Sequence, residues 1–144
     1  MSLVSARTSG RILLAGLGLL AAFHALVLAR VLPGSAVWGG QAADNPGNLI
    51  LLEATGLAVT LLFALVVALK LRALHSCEPR RPIDVGVWVV FGYFLLNTLG
   101  NLASVSSVEK AVFTPVSLVL ALLALRLAMA KRPSAPSASL EADR

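Results

Sequence analysis

The sequence predicts an all-α membrane protein, a bundle of four transmembrane helices packed antiparallel and up-down with both termini in the cytoplasm. Three observations carry this. Of 144 residues, 58% are hydrophobic and 13% are charged, and the mean hydropathy is +0.86. An ordinary soluble domain is about 45–50% apolar and about 25% charged, so this chain has too little polar surface to be soluble alone. The apolar residues fall into four runs near the ~20 residues that a spanning helix needs. The basic residues flank those runs unevenly, as they do when they fix membrane topology.

Composition also excludes several classes. A net charge of +5 and a pI near 10.4 would suit a nucleic-acid binder. Here, however, Lys and Arg border apolar runs instead of clustering with aromatics, so no nucleic-acid partner is expected. The one cysteine, Cys77, rules out an internal disulfide, a CxxC pair and a Cys-based metal site. Neither a cofactor nor a metal is expected.

In chain order, residues 1–11 form a cytoplasmic leader with Arg7 and Arg11, and residues 12–32 the first span. Its uncharged part is longer than the ~7–15 residues of a signal-peptide core and contains His24, so it reads as an uncleaved anchor. Residues 33–48, PGSAVWGGQAADNPGN, are a loop rich in turn signals, with Trp38 suited to the membrane interface. The second span, 49–69, carries Glu53 about one turn in and is closed by Lys70 and Arg72. A basic loop, 70–84, contains two prolines that bar a continuous helix. The third span, 85–103, starts near Trp88; a solvated turn, 104–111, carries Glu109 and Lys110. The fourth span, 112–130, tolerates Pro115 in its first turn. Residues 131–144 are rich in Pro, Ser and Ala and read as a disordered cytoplasmic tail.

Arg7, Arg11, Lys70, Arg72, Arg80, Arg81, Arg126, Lys131, Arg132 and Arg144 fall on one side of these spans, leaving only Arg30 and Lys110 of the 12 Lys and Arg on the other. With short connections, this places both termini in the cytoplasm of a multi-pass protein of the bacterial inner membrane.

The polar residues inside the spans share one layer. At ~1.5 Å per residue, His24 lies ~12 Å, Glu53 ~6 Å and Asn97 ~9 Å below the outer helix ends, with Gln41 and Asn101 at the rim. Glu53, Gly56 and Thr60 recur on one face of the second helix, and Asn97, Gly100, Asn101 and Ser104 on one face of the third. Small residues let helices approach, and Asn or Thr can bond across them. A carboxylate in hydrocarbon is costly unless paired or neutral, so Glu53 is expected to face the bundle, with His24, Asn97 or a bound proton as the remedy. Gly16 and Gly18 are expected to be packing positions.

The segments HALVLARVLPGSAVWGGQ, LLEATGL, LNTLGNLASVSSVEKAVFTP and LRLAMAK resemble a family of small, uncharacterised bacterial four-helix integral membrane proteins with VWGG and LNTxGN motifs. The resemblance extends nearly to Lys131 and matches Trp38, Gly39, Gly40, Glu53, Asn97, Thr98, Gly100, Asn101 and Glu109. Gln41 stands where the family carries an arginine. The resemblance implies the fold and no activity.

The residues therefore point to a binding protein. Its outward-facing pocket of His24, Trp38, Gln41, Glu53, Asn97 and Asn101 would take a lipid, a hydrophobic small molecule or a partner helix. Two alternatives are a membrane enzyme using His24 and Glu53 as acid and base, and a small proton-coupled transporter similar to the four-helix multidrug exporters with one membrane glutamate. No nucleophile or metal set marks an enzyme, so no catalytic residue is assigned. The ten-to-two charge bias opposes a dual-topology dimer but allows parallel homo-oligomers.

Overall fold

A computed structural model describes residues 5–32, 46–74 and 81–130. Among them are four helices, each long and apolar enough to cross a membrane, the architecture of a multi-pass membrane protein. Trp38, Gln41 and Cys77 lie outside the described residues.

Helix α1 is Ala6–Leu28, so most of the predicted leader is helical. Ser5 explains the early start: its backbone is extended and its Oγ accepts a hydrogen bond from the Thr8 amide at 3.1 Å. That satisfies one of the amides a helix start leaves unpaired. The far end stops four residues before the predicted Leu32 because Arg30 adopts φ 59°, the left-handed conformation that closes helices. Arg30 N–H then donates to Val27 O and Val31 N–H to Leu26 O, both at 2.9 Å.

Helix α2 is Pro46–Ala73, with Pro46 at its start, where a missing amide costs little. It carries Lys70 and Arg72 in its last turn instead of ending before them. Helix α3 is Arg81–Ala103; Pro82 is accommodated in the first turn, and Asp84 there complements the helix dipole. Both ends of the predicted basic loop, 70–84, are thus helical.

The predicted turn before the fourth helix is also shorter. Helical structure resumes at Ser107 and passes through a π-helical turn, Glu109–Phe113, into α4, Thr114–Ala128. In this turn the Thr114 amide reaches back five residues to Glu109 O. The wider turn falls just before Pro115, whose ring in a regular helix would crowd the carbonyl four residues back.

The helices close a ring: α1 packs on α2, α2 on α3, α3 on α4 and α4 on α1. Helix α2 turns one stripe inward at alternating three- and four-residue steps, Glu53, Gly56, Thr60, Phe63, Val67 and Lys70, continued by Leu74 just past its end, all buried. Helix α4 answers with Ser117, Leu120, Ala124 and Leu127, and α1 with Leu13 and Leu17. Gly16 is a packing position, since a Cβ there would stand 2.7 Å from Leu120 Cδ2; Gly18 has open space around it, contrary to expectation. The outer surface is apolar, with Leu19, Leu51, Leu96 and Val105 among many exposed large hydrophobics. Such coverage suits lipid and not water.

Candidate functional site

Glu53 and His24 meet across α1 and α2, with His24 Nδ1 2.7 Å from Glu53 Oε2. The carboxylate is 1% exposed and the imidazole 13%. An isolated buried carboxylate is costly; a short hydrogen bond to a ring nitrogen is the remedy that forms here. One proton lies between the two groups, on Nδ1 or on the carboxyl. Gly56 makes room for this contact: a Cβ there would stand 2.7 Å from His24 Cε1. Gly suits this step of the α2 stripe because the imidazole atoms Cε1, Nε2 and Nδ1 occupy the space that a Cβ would take.

The expected depths of these two residues differed by ~6 Å, yet the groups touch. The helix ends account for part of this. Measured from Leu28, His24 is four residues in, and measured from Pro46, Glu53 is seven. At ~1.5 Å per residue these are ~6 and ~10 Å. With these ends the two estimates cross and the difference falls from ~6 to ~4 Å, which the two side chains span.

Beside the pair is a half-open cavity of about 150 Å³. Helix α1 lends Leu20, Phe23 and His24; α2 lends Glu53 and Gly56; α3 lends Tyr93, Asn97 and Asn101. Glu109 and Phe113, from the π-helical turn, complete the lining. Four of the predicted site residues, His24, Glu53, Asn97 and Asn101, therefore share one cavity. Glu109 corrects the expectation of a solvated turn: it is buried at 8% exposure, while its neighbour Lys110 is exposed. The signal was present, since Glu109, Phe113, Ser117, Leu120, Ala124 and Leu127 follow three- and four-residue steps along one face. Among the described residues no Lys or Arg lines the cavity.

The α3–α4 seam runs along the cavity. Ser117 Oγ donates to Phe113 O at 2.7 Å, and Thr98 Oγ1 to Phe94 O at 2.7 Å. The two hydroxyls are 3.1 Å apart, and Asn101 Nδ2 donates to Ser117 Oγ at 3.4 Å. The packing face of α3 is therefore Val87, Val90, Phe94, Thr98 and Asn101, not the expected Asn97–Gly100–Asn101–Ser104 face. Asn97 and Gly100 are exposed, and a Cβ on Gly100 would meet nothing within 4 Å. Asn97 borders the cavity without holding the helices together.

A second buried charge lies at the other end of α2. Lys70 is 2% exposed and donates from Nζ to Asp84 Oδ1 on α3 at 2.6 Å; Asp84 is 40% exposed. In the first turn of α1, Ser9 Oγ is buried without a hydrogen-bond partner among the described residues. Among those residues no three His, Cys, Asp or Glu are grouped as a metal site would need. Comparison with protein-family models, with curated proteins and with solved structures found no match to this chain.

Proposed function

We propose that this is a ligand-binding protein of the bacterial inner membrane, whose cavity between α1, α2, α3 and the π-helical turn takes the polar end of an amphiphile. The observation that carries this is the composition of the cavity: a buried His24–Glu53 pair and Glu109 beside Phe23, Tyr93 and Phe113. Polar groups that fix a ligand's orientation within apolar walls are the usual make-up of a small-molecule site. Intramembrane carboxylates are functional candidates by default. In this reading the bundle is antiparallel with both termini cytoplasmic, and the cavity opens toward the outer leaflet. Contacts that run in opposite senses support the antiparallel part: Leu71 packs over Gly10 and His24 over Gly56, while Leu120 meets Gly16 and Phe113 meets Phe23. The ten-to-two division of Lys and Arg supports the orientation.

Native mass spectrometry of the purified protein tests the reading. A co-purifying amphiphile should be retained at one per chain and lost in Glu53→Gln with the bundle still folded. If nothing is retained, and Glu53→Gln changes neither retention nor added-lipid binding, the cavity is not a ligand site. The 2.7 Å His24–Glu53 contact favours one second reading, a proton-coupled carrier. Reconstituted vesicles would then show a proton flux abolished by Glu53→Gln.

A further inference from the structure

We infer that the seam between α1 and α4 holds one molecule of an anionic phospholipid, with an acyl chain in an apolar groove and the phosphate at Arg11 and Arg126. The site is separate from the cavity and does not depend on what the cavity binds. Ala15, Gly16 and Leu19 of α1 and Pro115, Val119 and Leu123 of α4 border a groove of about 440 Å³ on the outside of the bundle, and no polar side chain lines it. Small side chains at Ala15 and Gly16 keep it open. At the ~30 Å³ of a water-sized group, the groove takes about fifteen carbons, one acyl chain.

The two ends of the groove differ. One turn past Leu19 the seam is closed by Phe23 and Phe113, which meet edge to face with centroids 5.3 Å apart. The helix register decides what stands at the other end. Gly10 faces Leu127, Gly16 faces Leu120 and Phe23 faces Phe113, so each step forward on α1 is matched by about one step back on α4. That register sets Arg11 level with Arg126. Helical steps put both beside the groove: Arg11 is four residues before Ala15, and Arg126 three after Leu123. From Arg11 to Phe23 is about 18 Å along the helix, near the half of a ~30 Å hydrocarbon core that one leaflet fills. Helices α1 and α4 carry Arg7, Arg11 and Arg126 and no Asp or Glu. Arg126 also interacts within the protein, so the head-group preference falls first to Arg11, which is exposed. Asp84 of α3, at the same end, is bonded to Lys70. Arginine's planar fork matches phosphate oxygens, and basic sites between membrane helices bind anionic head groups.

Native mass spectrometry tests the site. Purified full-length protein in dodecyl maltoside is titrated with dioleoyl phosphatidylglycerol and, separately, dioleoyl phosphatidylcholine. Phosphatidylglycerol should saturate at one per chain and bind at least about tenfold more tightly than phosphatidylcholine. Arg11→Gln should lower that preference by about fivefold. Arg72→Gln, which removes the same charge from the exposed end of α2, should leave it unchanged. Ala15→Phe should weaken both lipids several-fold by filling the groove, and because Ala15 is exposed the bundle should still fold. Circular dichroism confirms that each variant keeps its helices. Equal binding of the two lipids, or equal losses in Arg11→Gln and Arg72→Gln, would mean ordinary boundary lipid and overturn the site. Unchanged binding in Ala15→Phe would overturn the groove as the seat of the acyl chain.

Discussion

Helix α2 carries a buried charged group near each end, and the two are handled in opposite ways. Glu53 and Lys70 lie on one inward stripe, 17 residues and so about 25 Å apart, close to the ~30 Å thickness of a bilayer's hydrocarbon. At the Glu53 end the acid is enclosed and its partner base, His24, borders a cavity. At the Lys70 end the base is enclosed and its partner acid, Asp84, reaches the surface. The first pair joins α1 to α2, the second α2 to α3. A buried pair with one exposed partner behaves as a helix-to-helix fastening near the bundle's edge. The other pair borders a cavity lined also by Asn97, Asn101 and Glu109, the place where we propose that a ligand binds.

Breaking each pair from its less buried side measures the contrast. His24→Leu strands the enclosed Glu53 carboxylate and should cost about 3 kcal/mol of unfolding free energy, read by unfolding in mixed detergent micelles. Replacing both partners with Leu should recover most of that loss, since an apolar pair leaves no charge behind, while ligand retention stays abolished. Asp84→Ala should cost less, about 2 kcal/mol, because Lys70 lies at the helix end, where its flexible chain can lift its charge toward the interface. Should Asp84→Ala prove the more damaging, the contrast between the two ends would be inverted.

Smaller effects sharpen the picture of the Glu53 end. Gly56→Ala should displace the His24 ring and cost about 1.5 kcal/mol, with the imidazole NMR signals shifting. A Gly18→Ala control, with open space around it, should stabilise by about 0.5 kcal/mol. Arg30→Gly should gain about 1 kcal/mol by relieving a left-handed backbone. Smallest is Asn97→Leu, expected to change stability by less than about 0.5 kcal/mol while altering what the cavity retains. A large loss there would mean that Asn97 joins helices after all.

Much of the frame was legible in the sequence because hydrophobic run length and the α2 periodicity are direct consequences of lipid and packing. The Glu53–Gly56–Thr60 face is the inward one, and His24 is the partner of Glu53. Four features were hidden by local rules that compete with that signal. The end of α1 depends on a non-glycine left-handed cap at Arg30, which no run length reveals. The polar face of α3 was misplaced because Asn97 and Thr98 are adjacent, and two neighbouring stripes fit the same residues; the Thr98–Ser117 contact decides for one. Glu109 looked solvated because it stands beside Lys110, although its three- and four-residue steps to Ser117 and Leu127 marked it as inward. Lys70 likewise looked like a simple span boundary, since side-chain length alone does not say whether a terminal lysine turns outward or toward an Asp on the next helix.

The π-helical turn separates two jobs along a single stretch of chain. A one-residue deletion within Glu109–Phe113 would restore an ordinary helical register while leaving Ser117, Leu120, Ala124 and Leu127 on their seam. The wide turn absorbs its extra residue locally, so the chain before it would stay close to its present angle, and what would change is which side chains of Glu109–Phe113 reach the cavity. The extra residue thus acts as a set screw: the wall of the cavity can be retuned by one codon's worth of chain without disturbing the packing that holds the bundle closed.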